Sequence, residues 1–153
     1  VQTEQGDLAE VLARCVEGLR PALELSDLEV VVSEGGCLPP LRFDADAICQ
    51  IVTNLLDNAE RYTRGTEGRR VDLCLTASGD VARLVVADNG PGVPEAARRH
   101  LFRPFARGVA DKTPAGLGLG LALARTLARA QGGDLRLLPR QGGAAFELTL
   151  PIS

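Results

Sequence analysis

The sequence predicts an α/β fold in which three amphipathic helices are interleaved with strands, most of the strands falling into two antiparallel hairpins. Three observations carry this reading. Apolar residues recur at helical spacing over 8–23, over 45–62 and again after Gly120. Aliphatic and β-branched runs bounded by glycine turns lie between them. No linker or low-complexity segment divides the 153 residues, a length that suits one domain with a real core. Hydrophobic residues make up 45% but aromatics only 3%, so that core is built from Leu, Val and Ala.

Taken in order, Asp7 caps a first helix over 8–23, with Leu8, Val11, Leu12, Cys15, Val16 and Leu19 on one face. Residues 28–33 read as a strand closed by Gly35-Gly36, and 41–43 as a short extended piece after Pro39-Pro40. Asp44 or Asp46 starts a second helix over 45–62, and Gly65 lies beyond its end. That helix carries two stripes. Ile48, Ile51, Val52, Leu55 and Ala59 pack on the sheet, while Asn54, Asn58 and Arg61 share another face. Asparagine is a poor helix-interior residue because its amide competes for backbone groups, so two of them one turn apart call for a reason.

Strands over 71–76 and 81–87 form a hairpin around Ser78-Gly79-Asp80. The second runs into Asp88-Asn89-Gly90-Pro91-Gly92, where a carboxylate at a buried strand end meets bare backbone that lets a ligand approach. Residues 94–99 make a short helix. Residues 100–115 are irregular: Phe102 and Phe105 lie among His100, Arg103, Arg107 and Lys112, a mixture that suits a mobile lid with apolar anchors and cationic tips. Then Gly116-Leu117-Gly118-Leu119-Gly120-Leu121 opens a helix over 118–131 that ends at Gly132-Gly133. Glycines at a helix entry expose N–H donors and a partial positive charge, which favour phosphate. Neither G-x-x-x-x-G-K-[ST] nor G-x-G-x-x-G is present, so the two best-known phosphate loops are excluded. A last hairpin pairs 134–138 with 145–150 around Gly142-Gly143.

A net charge of −3 and a pI near 5.2, without blocks of like charge, argue against a nucleic-acid partner. No basic amphipathic helix supports direct membrane contact, and no apolar run approaches the roughly 18 residues of a span. Cys15, Cys37, Cys49 and Cys74 are scattered, with one histidine and no C-x-x-C; this argues against zinc and leads us to expect reduced structural thiols in a cytoplasmic protein. The chain has no Met and opens on Val-Gln-Thr-Glu-Gln, which suggests a domain excised from a longer protein.

Four motifs now stand in order. Asn54-Leu55-Leu56-Asp57-Asn58-Ala59-Glu60-Arg61-Tyr62-Thr63 resembles the N box of the ATP-binding catalytic domain of sensor histidine kinases, within the GHKL superfamily. Asp88-Asn89-Gly90-Pro91-Gly92 is similar to that family's first glycine box, Phe102-Arg103-Pro104-Phe105 to its F box, and Gly116–Leu121 to its second glycine box. The match runs from Leu8 to Pro151. It implies an α/β (α+β) two-layer sandwich, a mixed and mostly antiparallel sheet covered on one face by three main helices, with an ATP lid.

It also implies Mg²⁺ and ATP as cofactors, with Asn58 supplying the oxygen that binds the metal and Asn54 near the phosphates or the attacking group. Arg61, where the family usually has lysine, would touch phosphate; Tyr62 would lie against adenine, and Asp88 would accept from the adenine amino group. Gly90 and Gly92 would allow close approach. Phe102 and Phe105 would anchor the lid, Arg107 would reach the γ-phosphate, and Gly116, Leu117, Gly118, Leu119 and Gly120 would return the lid over the phosphates. Leu117 departs from the Thr or Ser common there, so one hydroxyl contact is missing. The only histidine, His100, lies in the lid and not in a His-Glu or His-Asp context, so the phosphoacceptor belongs to a separate helical dimerisation domain. A response regulator would be an indirect partner, and the isolated domain a monomer. Two alternatives share the fold: a nucleotide-binding module without kinase activity, and another GHKL member such as an anti-sigma serine kinase or a gyrase-type ATPase. The ATPases carry glutamate where Asn54 stands. An amide is no general base, so Asn54 favours transfer over hydrolysis.

Overall fold

The computed structural model describes residues 1–103, 120–139 and 142–152. The elements run β1 (Glu4–Gly6), α1 (Leu8–Leu25), β2 (Glu29–Gly35), β3 (Leu41–Phe43), α2 (Ala45–Tyr62), β4 (Arg70–Ser78), β5 (Val81–Asp88), α3 (Glu95–Arg98), α4 (Gly120–Ala130), β6 (Asp134–Leu138) and β7 (Ala145–Pro151). Five strands form one sheet in the order β2-β4-β5-β7-β6. β2 and β4 run parallel, and every other neighbouring pair is antiparallel. The mixed, mostly antiparallel sheet expected from the sequence is what forms.

Register makes one face of that sheet the core. Val71 pairs with Asp88, Leu73 with Val86 and Leu75 with Leu84, and all six are buried. Across β7 the pattern continues through Leu84–Leu148 and Val86–Phe146. Ile48, Ile51, Val52, Leu55, Leu56 and Ala59 of α2 join the same cluster, together with Leu12 and Val16 of α1 and Ala124 and Ala128 of α4. α2 packs against α1 and against α4, which makes it the central helix of the layer.

Local chemistry sets the helix ends. Asp7 Oδ1 accepts from Glu10 N–H and Asp44 Oδ1 from Ala47 N–H, so Asp44, not Asp46, caps α2. Those bonds to Ala47 and Gln2 hold the Asp44 carboxyl below its usual range. α1 runs two residues past its expected end. Its Schellman closure, Leu28 N–H to Leu23 O and Asp27 N–H to Glu24 O, uses Asp27 at φ +63°, where a glycine signal would have been sought. α4 closes the same way on Gly132, as the Gly132-Gly133 pair predicts.

Two features lay beyond the sequence. β1 has no strand signature and exists because it pairs antiparallel with β3, Gln5 opposite Arg42. The expectation of reduced thiols fails for two of the four cysteines: Cys15 and Cys49 are disulfide-bonded, their Cα atoms 5.6 Å apart. They are 34 residues apart in sequence and meet only because α1 packs beside α2. Cys37 and Cys74 are free.

Candidate nucleotide site

Three of the four motifs converge on α2. Its polar face carries Asn54, Asn58 and Arg61 along two turns, with Asn58 only 8% exposed, and Tyr62 is the last residue of the helix. Asn54 Nδ2 donates to Gly120 O at 3.0 Å, which ties the N box to the start of α4. A carbonyl can only accept, so this bond fixes the amide's orientation and leaves Oδ1 to accept from Gln50 Nε2 at 3.2 Å. Gln50 was not among the residues singled out by sequence; its place one turn before Asn54 is the signal that would have found it.

The first glycine box meets the end of the N box. A Cβ on Gly90 would stand 2.6 Å from Tyr62 O and 3.2 Å from Asp88 Oδ1, so glycine is what allows the two segments to touch. Asp88, 3% exposed, closes β5. Its Oδ1 accepts from Gly90 N–H at 2.9 Å and Ala144 N–H at 3.2 Å, while its own N–H donates to Ala144 O. Backbone amides thus hold the carboxylate at the strand end, in an orientation fixed by two separate segments. Gly143 lies against the Asp88 carbonyl, where a Cβ would come within 2.0 Å. Gly92 has φ +89° and faces Gly143 O. Asn89 is a support that sequence reasoning passed over: its amide donates to Gly68 O and accepts from Arg70 N–H, fastening the box to the loop before β4.

Phe102 is half-buried, edge-on to Phe146 at 6.2 Å, with the Arg125 guanidinium 4.6 Å over its ring. These contacts pack its ring against the core. Phe105, Arg107, Gly116, Leu117, Gly118 and Leu119, and the expected lid beyond Arg103, lie outside the described residues.

The end of α2 is electrostatically set. Arg64 and Arg69 hold the Glu60 carboxyl below its usual range against partial burial. Arg69 also donates to Thr63 Oγ1, Glu60 O and Ser26 O, binding the helix end to the α1–β2 turn. Asp57 keeps an exposed surface, yet the protein around it displaces enough water to push its carboxyl above the usual range. Arg61 opposes that rise and Glu60 adds to it.

The site is thus a helix with two amides on its polar face, abutting a backbone-held aspartate at the end of a strand in a mixed sheet. The family model for the histidine kinase-, DNA gyrase B- and HSP90-like ATPases matches residues 43–153, and the chain belongs to this family. The chain is 32% identical to the adaptive-response sensory kinase SasA of Synechococcus sp. (strain JA-3-3Ab), over 99% of this chain and 40% of that protein. It is 40% identical to the signal transduction histidine-protein kinase/phosphatase MprB of Mycobacterium sp. (strain KMS), over 97% of this chain and 29% of that protein. Among solved structures, full-length ShkA in complex with AMPPNP superposes with a TM-score of 0.84 at 30% identity, covering all of this chain and 32% of that one. The chain therefore spans well under half the length of these relatives. It is the sensor histidine kinase type of ATPase domain that the four motifs resemble, as the sequence led us to expect.

Proposed function

We propose that this chain is the Mg-ATP-binding catalytic domain of a two-component sensor histidine kinase. The parent protein transfers the γ-phosphoryl group of ATP to a histidine on a separate helical dimerisation domain, and a response regulator receives it afterwards. The observation that carries this reading is the convergence on α2 of Asn54 with Gly120 and of Tyr62 with Gly90 and Asp88.

The donor set fits the cofactors. Mg²⁺ is a hard ion that takes oxygen ligands, keeps several waters and commonly uses one or two protein groups beside phosphates, and the amide oxygen of Asn58 is such a ligand. When bound, Mg-ATP supplies the phosphoryl group and the charge that neutralises its transfer. The chain's own part is positioning. Asp88 presents an oriented carboxylate to the adenine amino group, with Tyr62 beside the ring. Asn54, fixed by Gly120 and Gln50, would stand near the phosphates, and Arg61 on the same face would touch them. An amide there cannot draw a proton from water, which favours transfer to a protein group. Arg107 and the second glycine box would complete the phosphate contacts. The domain works in the cytoplasm, and in isolation it is a monomer.

Calorimetry with a non-hydrolysable ATP analogue should show metal-dependent binding by the wild type. Asn58→Ala should weaken it at least tenfold with Mg²⁺, and far less without it. Equal affinity of the two proteins in Mg²⁺ would overturn the assignment.

A further inference from the structure

The Cys15–Cys49 disulfide has no part in nucleotide chemistry, yet it is fastened to the helix that carries it. Cys15 lies midway along α1 and Cys49 in the second turn of α2. α2 thus has a covalent tie to α1 on one side and, through Asn54 and Gly120, a hydrogen-bonded tie to α4 on the other. The α1–α2 contact does not need a staple: Leu12, Val16, Ile48 and Val52 are all fully buried in the shared core, and the chain is long enough to hold a core without disulfides. Both cysteines are half-buried at the rim of the core, and neither is enclosed in it. A Cα separation of 5.6 Å suits the bond without backbone movement.

We propose that Cys15 and Cys49 form a reversible thiol–disulfide exchange site, a redox latch between α1 and α2 that answers to small thiols and disulfides of the glutathione class. To close the latch, one cysteine thiolate attacks the small disulfide, forming a mixed disulfide and releasing one small thiol; the other cysteine then displaces the second. Two electrons pass from the protein dithiol to the small disulfide, and the two thiol protons leave with the two small thiols. Opening is the reverse reaction with two equivalents of small thiol. Closed, the latch restrains α1 against the helix bearing Asn54 and Asn58; open, apolar packing alone holds them. The nucleotide consequence rests on the function proposed above: a looser α2 must be ordered on binding, so the reduced form binds Mg-ATP more weakly.

The test uses the chain carrying Cys37→Ser and Cys74→Ser, so that only the pair reacts. After oxidised glutathione the folded protein should take up no iodoacetamide, and two equivalents after reduced glutathione, with peptide mapping joining Cys15 to Cys49. Reduction should lower the melting temperature and speed amide exchange in 8–25 and 45–62. A Cys15→Ser/Cys49→Ser variant should match the reduced form and ignore reductant. The Kd for a non-hydrolysable ATP analogue with Mg²⁺ should rise at least threefold on reduction. Two reactive thiols in the oxidised, folded sample would overturn the latch, as would a bond that reduced glutathione cannot open without unfolding. An unchanged Kd across both forms would overturn its coupling to the site. If neither form binds the analogue, the nucleotide reading fails, and thiol count, melting and exchange still decide the latch.

Discussion

Gly143→Ala tests how the Asp88 carboxylate is held. Gly143 sits at φ +114°, and a Cβ there would lie 2.0 Å from Asp88 O and 3.0 Å from Asp88 C. Both are backbone atoms, so no side chain can swing aside. Positive φ costs a residue with a Cβ about 1–2 kcal/mol. Relieving the overlap means parting β5 from the start of β7, which breaks Asp88 N–H to Ala144 O and Ala144 N–H to Asp88 Oδ1. Each buried group left unpaired costs about 1–3 kcal/mol, so the total is about 3–8 kcal/mol, a large share of a domain's usual stability. Gly142→Ala is the internal control: φ is +72° but no atom lies within 4 Å of the new Cβ, leaving only the 1–2 kcal/mol strain, on the order of a few degrees in melting temperature. Urea denaturation followed by circular dichroism should rank wild type, Gly142→Ala and Gly143→Ala in that order, with at least about 2 kcal/mol between the variants. Where Gly143→Ala stays folded, ATP affinity should fall with the loss of the Asp88 anchor. Equal destabilisation by the two variants would refute the argument.

Other outcomes follow from the same geometry. Asp88→Asn should lose ATP binding by calorimetry while keeping the circular dichroism spectrum, and the wild type should bind GTP poorly, because its carbonyl faces the carboxylate; tight GTP binding would contradict that role. Asp57 has a folded-state pKa raised above 3.8, so the folded state favours the protonated form, and stability is lost as pH rises through the folded value. Asp57→Asn should therefore raise stability at pH 7, with the gain vanishing below about pH 3.8 in a pH series of urea melts. Arg69→Ala removes three donors joining α2 to the α1–β2 turn and should cost about 2–4 kcal/mol by the same assay; a loss under about 0.5 kcal/mol would show that those bonds are replaced by water.

Much of this protein was legible in the sequence because the signals are local. The i, i+3, i+4 spacing from Ile48 to Ala59 fixes both the length of α2 and its buried face, and Asp44 caps it from three residues away. Alternation along 71–76 and 81–87 sets the hairpin and its register, and the asparagine pair and the glycine boxes mark the candidate site. What the tertiary structure alone decided depends on residues far apart in the chain. β1 forms only against β3, β2 lies parallel to β4, and Cys15 meets Cys49 across 34 residues. The Asp88 carboxylate is held by Ala144, 56 positions later, and the Asn54 amide by Gly120, 66 positions later. Periodicity reports which face of an element is apolar. It carries no information on which distant backbone group will satisfy a buried polar one, because that partner is chosen when the helices and sheet close on a common core and every enclosed donor must find an acceptor.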